Sequence, residues 1–228
     1  NVDGHDDDIE TGGMFRFHPS QQLLPRHKFQ HIYAPFAYTL MTYKWLLEKD
    51  FKQVVSYNKS DLFKAKDQTL AMVWTKLIVG KGFHFAVFYA LPMLLGAPWY
   101  LVLWGNLVMH LIAGFILSIT FQLAHVVDKA EFPTEEEAQT VTNIEHQMKT
   151  TANFATRNWL VTWYTGGLNF QVEHHMFPTI NHIHYPKIAE IVRKTAAEFE
   201  LPYNEYRTTM SAIKGHFRHL RNMGMQPA

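Results

Sequence analysis

The chain has 228 residues, a formal charge of +1 and no cysteine, which leaves room for one sizeable domain and excludes disulfides and thiolate metal sites. Near-neutral charge gives no footing for nucleic acid, whereas a hydrophobic share of 47% with many aromatics raises the question of a membrane. Fourteen histidines are more than a soluble domain usually carries, and they leave metal binding or unrelated surface placement to account for them.

In chain order, residues 1–30 open on Asn1, with nothing resembling a signal peptide, so the sequence is expected to be a fragment. Their acidic run, with His5, Asp6 and Asp8, reads as a solvated turn or as a neighbour of a site. Residues 31–50, "HIYAPFAYTLMTYKWLLEKD", are aromatic and apolar but broken by Pro35 and Lys44, and predict an interfacial helix or a third span. Residues 51–76 read as a basic cytosolic loop. Lys52, Lys59, Lys64, Lys66, Lys76 and the nearby Lys81 mark the cytoplasmic side by the positive-inside rule.

Residues 77–124 carry the strongest signal. No Asp, Glu, Lys or Arg occurs from Phe85 to Ala124, about twice the length one helix needs to cross a bilayer core. Gly96 and Pro98 interrupt the run midway, which predicts two spans, 77–95 and 98–124, folded back as a hairpin; the competing reading is a buried soluble hairpin. Trp74, Trp99, Tyr100 and Trp104 suit the two interfacial belts. His84 and His110 lie equally far from Ala97 on opposite arms, and so form a packed pair at one depth or line a substrate passage.

A hairpin returns its ends to one side, so residues 125–228 are expected in the cytosol. "TEEEAQ" from Thr134 reads as a solvated loop or helix start. "YPKIAEIVRKTAAEFELPY" predicts an amphipathic helix with Ile188, Ile191, Val192, Ala196 and Phe199 on one face, and a last helix is expected from Arg207 to Arg221. The fold class is therefore all-α: a membrane helical hairpin plus a cytosolic, histidine-bearing helical region.

Gly114, Ser118, Gln122 and His125 fall in a narrow arc of the second span, a polar stripe that should face protein. Some 28 residues of helix from Ala97 reach about 42 Å, past a hydrocarbon core of about 30 Å, so His125 protrudes into the cytosol. Further on, "NFQVEHH" puts Gln171 on one helical face with His174 and His175. Adjacent imidazoles point about 100° apart, so each can serve a different metal or a different edge of one site, and His125 can approach from the membrane. Three imidazoles without thiolate suit iron, zinc or copper alike; a surface histidine pair is the alternative.

"GGLNFQVEHHMFP" resembles the third histidine box of the membrane-bound fatty acyl desaturases, in the variant where glutamine replaces the leading histidine. "FQLAHVVDKAEFP", "HQMKTTANFATRN" and "HIHYPKIAEIV" are similar to bacterial acyl-CoA or acyl-lipid desaturases, and the likeness runs over nearly the whole chain. In that family, histidines from three boxes and one separate position hold two irons at the cytosolic face. The resemblance implies that His174 and His175 are third-box ligands and that His125 is the separate ligand. Gln171 is then a ligand or a hydrogen-bonding neighbour of one. The glutamine variant is typical of front-end desaturases, which insert a cis double bond between an existing one and the carboxyl end.

The resemblance further implies O2 as co-substrate, a ferredoxin or cytochrome b5-type donor, an acyl-CoA or acyl-lipid substrate, and a place in the bacterial inner membrane with no nucleic-acid partner. The family's first two boxes, His-x-x-x-His and His-x-x-His-His, do not occur here. Asn1 to Gly13 resembles the segment that follows the second, so these residues alone are expected to lack activity and to hold iron poorly. An acyl-chain hydroxylase of the same superfamily and a noncatalytic truncated membrane protein are the alternatives. His146, His182 and His184 are expected in structural or supporting roles.

Overall fold

The computed structural model describes residues 13–59, 63 and 68–225, and the chain divides into two units, Pro35–Ser118 and the combination of Asn1–Ala34 with Ile119–Ala228. The described residues are mostly helical.

Helix α1 (Gln30–Thr39) leads into α2 (Met41–Lys44), a π-helical turn at Trp45–Lys49 and α3 (Asp50–Lys59). Residues 51–59 and 70–76 are thus helical where a loop was expected. The next helix, α4 (Leu70–Phe85), starts seven residues before the expected position, because Thr69 caps it by accepting from Met72 N at 3.2 Å. It continues through a π-turn, Ala86–Ala90, into α5 (Leu91–Leu94). Pro92 explains that turn: it has no N–H for the carbonyl of Phe88, four residues back. Asn106 on the following helix supplies the missing donor, Nδ2 to Phe88 O at 2.8 Å. A turn with Gly96 at φ +95° then starts α6 (Trp99–His125).

The stretches Leu70–Leu94 and Trp99–His125 are long and apolar enough to cross a membrane. Their most apolar windows are 0% and 28% buried among the described residues, unlike the mostly buried core helix of a soluble protein. His84 and His110 are paired, ring centroids 5.5 Å apart. Thr42 donates to His110 O at 2.9 Å, and its Oγ1 lies 3.2 Å from His110 Nδ1. The polar stripe does face protein in this unit. A Cβ on Gly114 would sit 2.4 Å from Thr39 O, and Ser118 donates to Tyr38 O at 3.2 Å.

The other unit gathers α7 (Glu135–Thr140), α8 (Asn143–Thr150), α9 (Trp159–Tyr164), α10 (Gln171–Met176), α11 (Tyr185–Glu198) and α12 (Thr209–Met223) around the end of α6. "TEEEAQ" is a helix start: Thr134 and Glu137 form a reciprocal capping box. The all-α expectation needs one amendment, because β1 (Asn153–Phe154) and β2 (Glu205–Tyr206) pair in parallel, Asn153 opposite Glu205 and Phe154 opposite Tyr206. Leu123, Val127, Ala152, Phe154, Tyr206 and Ala212 form the central cluster. The inward face of α11 consists of Tyr185, Ala189, Val192 and Ala196, whereas Ile191 and Phe199 are exposed. Small alanines let that helix approach closely, and the sequence reading followed the bulkier side chains instead.

Four histidines have a role that neither expected explanation covers. His18, His27, His216 and His219 are buried, and a ring nitrogen of each lies within hydrogen-bond distance of a backbone carbonyl: Pro133 O, Gly13 O, Val126 O and Phe17 O respectively. They stitch residues 13–27 and α12 to the end of α6. Arg16, also buried, donates to the carbonyls of Pro19, Gln21 and Met223, and Gln30 bridges Arg16 O and Leu220 O.

Candidate metal centre

The segment that presents Gln171, His174 and His175 is shaped by two glycines. Gly166 and Gly167 adopt φ +60° and +82°, which L side chains rarely adopt. A Cβ on Gly167 would lie 2.6 Å from His182 Cβ, so Gly167 also permits a close approach. Asn169 then holds the loop, donating to Thr162 Oγ1 at 3.1 Å while its carbonyl accepts from Phe154 N at 3.0 Å. Helix α10 follows as less than two turns.

Its orientation is fixed from beneath by Glu173, which is fully buried. Asn153 Nδ2 donates to Oε2 and Tyr203 Oη to Oε1, both at 2.8 Å. Asn153 Oδ1 accepts from Val172 N at 2.9 Å, so one asparagine of β1 grips both the side chain and the backbone of the box. Burial pushes the Glu173 carboxyl above the usual range, against the hydrogen bonds from Asn153 and Tyr203. The Tyr203 hydroxyl is pushed up too, by its burial and by the carboxylate it bonds.

Opposite Glu173, the histidines face the end of α6. His175 Nε2 and His125 Nε2 lie 3.3 Å apart, with ring centroids 4.9 Å apart and planes nearly perpendicular. His174 turns away, its Nδ1 3.2 Å from Tyr185 Oη. Two of the three candidate imidazoles therefore meet through their Nε2 atoms, and the third, its ring centroid 5.6 Å from that of His175, is held at Nδ1 by a tyrosine. Gln171 is buried, its amide nitrogen without a hydrogen-bond partner among the described residues, as is Gln122 Oε1 one turn before His125. Among the described residues no group of three or more His, Cys, Asp or Glu could hold a metal ion.

These positions fit the beginning of an imidazole metal site. Metal–imidazole bonds of ~2.1 Å opening at ~105° put two ligand nitrogens roughly 3.3 Å apart, the spacing of His125 and His175. An orphaned buried amide beside such a pair suits a ligand or an outer hydrogen-bonding group. His5, Asp6 and Asp8 lie outside the described residues. Among the described residues His146 has a buried Nδ1 without a hydrogen-bond partner and lines a cavity of about 310 Å³ with Glu131, Glu137 and Lys149, while His182 and His184 are exposed. The contribution that sequence reasoning missed is the clamp of Asn153, Glu173 and Tyr203. Glu173 sits inside the quoted motif, but its partners are 20 and 30 residues away and carry no local pattern.

Comparison with known proteins assigns the family. Residues 1–207 match the family profile described as fatty acid desaturase. Among curated proteins, the chain is 32% identical over 229 residues to the sn-1 linoleoyl-lipid 6-desaturase of Arthrospira platensis, an alignment that covers 100% of the chain and 61% of the relative. It is 34% identical to the acyl-lipid (8-3)-desaturase of Physcomitrium patens, covering 99% of the chain and 47% of the relative. A further sn-1 linoleoyl-lipid 6-desaturase, from Synechocystis, is 33% identical over 98% of the chain and 63% of its own length. The chain thus spans about half to three fifths of the length of these relatives. No solved structure matches it. A profile that extends over nearly all of the chain, with full-length similarity at this level, makes it a member of the fatty acid desaturase family.

Proposed function

We propose that this chain forms the part of a membrane fatty acyl desaturase that carries the third histidine box and the separate histidine, with His125, His174 and His175 as iron ligands and Gln171 as a ligand or a hydrogen-bonding neighbour. The observation that carries the reading is the 3.3 Å approach of His125 Nε2 and His175 Nε2 across 50 residues of sequence. The hairpin is taken to lie in a membrane, that of a bacterial cell, and residues 125–228 to lie on its cytosolic face. The positive-inside rule supports that side through Lys52, Lys59 and Lys76.

The whole reaction is R–CH2–CH2–R′ + O2 + 2 e⁻ + 2 H⁺ → R–CH=CH–R′ + 2 H2O, with the two electrons from a ferredoxin or a cytochrome b5-type donor. A bound iron pair would supply the means of using O2 as the oxidant. The residues of this chain hold and orient. His125 and His175 bring their Nε2 atoms together, Tyr185 sets the ring of His174, and the Glu173 clamp fixes the backbone of α10 so that neither imidazole drifts. The relatives named as acyl-lipid desaturases, together with the glutamine at position 171, favour an acyl chain that already has a double bond, carried on a lipid or on CoA.

The test is to express this chain within a full-length protein that also carries the His-x-x-x-His and His-x-x-His-His boxes, in a host supplied with monounsaturated and diunsaturated chains, and to analyse membrane fatty acids. A new cis double bond on the carboxyl side of an existing one is expected. A hydroxy acid would move the assignment to a hydroxylase, and an unchanged profile with folded protein in the membrane would overturn the enzyme reading.

A further inference from the structure

The unit that bears the histidines has its own unusual surface. Helix α9 is only six residues long, and Trp159, Leu160, Trp163 and Tyr164 are 74, 52, 75 and 60% exposed. No charged residue occurs from Asn158 to Val172. The helix is nevertheless firmly placed. Asn158 caps it, accepting from Leu160 N and Val161 N, Thr162 Oγ1 accepts from Asn169, and Val161 packs on the central cluster. Its polar and β-branched side faces protein and its aromatic side faces outward, the reverse of a helix built for water.

The location decides what covers that face. Val161 rests on the same cluster as Ile119, Leu123 and Val127, the end of α6. Counted from Trp99, about 20 residues of helix traverse a hydrocarbon core of about 30 Å, so Ile119–His125 fall at the depth of the lipid headgroups. Tryptophan and tyrosine, apolar bodies with one polar tip, are the residues enriched at that depth. We propose that α9 lies in the lipid–water interface, with Trp159, Leu160, Trp163 and Tyr164 in the lipid, and that it tethers the box helix to the bilayer surface through the Gly166–Gly167 turn. The inference rests on the membrane reading of α6. It adds a lipid-facing element after the last span, next to the candidate ligands, where an acyl chain can pass from the bilayer to the site without crossing water.

This chain contributes no cysteine, so single substitutions in it carry a nitroxide label once any cysteine elsewhere in the full-length protein is replaced by serine. Trp163→Cys and Leu160→Cys are labelled in the full-length protein in phospholipid nanodiscs, beside Leu103→Cys on the apolar helix and Lys194→Cys on an exposed face of α11. Relaxation by oxygen is compared with relaxation by a water-soluble nickel chelate. The expected result is that labels 160 and 163 behave like 103, with several-fold weaker nickel relaxation than label 194. Nickel relaxation equal to that of label 194, with label 103 still protected, would put α9 in water and overturn the proposal. Protection from both reagents would mean that protein covers the face and would overturn it equally. If label 103 is itself open to nickel, the membrane reading of α6 fails, and this proposal fails with it. The two α9 positions guard against one variant misfolding.

Discussion

The unit Pro35–Ser118 and the unit that carries the candidate ligands meet the same problem, buried polar groups, by different means. In the first, the backbone satisfies itself within long helices, and one carbonyl orphaned by Pro92 is answered by one asparagine, Asn106. The side chains of its two long apolar helices are largely exposed, which suits a solvent that offers no hydrogen bonds. In the second, short helices and a two-residue strand pair leave many backbone groups without helical partners, and side chains fill in. Arg16, Gln30, Asn153, Asn204 and four histidines all bond to the main chain there. The difference teaches where the proposed metal site would find support: a dense polar scaffold can hold imidazoles at fixed angles.

The comparison can be broken most forcefully at Glu173. Glu173→Ala takes the carboxylate acceptor from the Tyr203 hydroxyl and one of two acceptors from Asn153 Nδ2, which keeps Tyr203 Oη, and it empties a buried position, so a loss on the order of 4 kcal/mol is expected in thermal unfolding, with Glu173→Gln recovering much of it. A slightly smaller effect is expected in the hairpin. Phe83 is 70% exposed midway along its helix, and Phe83→Arg would be nearly neutral on a water-facing surface but costs about 2.5–3.5 kcal/mol at a bilayer centre. Glycosylation-tag insertion assays read that difference directly.

Acid separates the two units further. Burial holds His216 down at about 4 against an ordinary 6.5, and His219 is lowered for the same reason. As pH falls through 6.5 the unfolded chain binds a proton that the folded chain refuses, so stability is lost between about pH 6.5 and 4, by on the order of 3 kcal/mol for His216. His216→Gln should flatten that slope in denaturation curves taken across the window. The smallest effect is expected for Asn106→Leu, which leaves Phe88 O without its donor and costs about 0.5–2 kcal/mol. Because side chains, not helices, satisfy the second unit, Asn106→Leu should leave the acid slope unchanged.

What the sequence made legible follows the same division. The hairpin could be read closely because charge depletion, Gly96 and Pro98 act locally, and the paired depth of His84 and His110 follows from counting residues. In the second unit the motif around Gln171, His174 and His175 was visible, and so was the approach of His125. The turn of His174 toward Tyr185 was not, nor was the Asn153–Glu173–Tyr203 clamp, because both depend on contacts between segments with no periodic signature. The inward face of α11 was misread at Ile191 and Phe199 because small residues, not large ones, set close helix packing there. Histidine number alone could not reveal that His18, His27, His216 and His219 serve the main chain.

The account stands or falls on His125 and His175 sharing a metal. The most direct measurement is iron per chain in the purified full-length protein, for the unaltered sequence and for His125→Ala, His175→Ala and the exposed control His184→Ala, with the unfolding temperature of each recorded in the presence of chelator. The account predicts about two irons in the unaltered protein and in His184→Ala, and marked loss in both His125→Ala and His175→Ala at unchanged metal-free stability. Full iron content in both of those variants would contradict it and leave the 3.3 Å contact an ordinary pair of packed imidazoles.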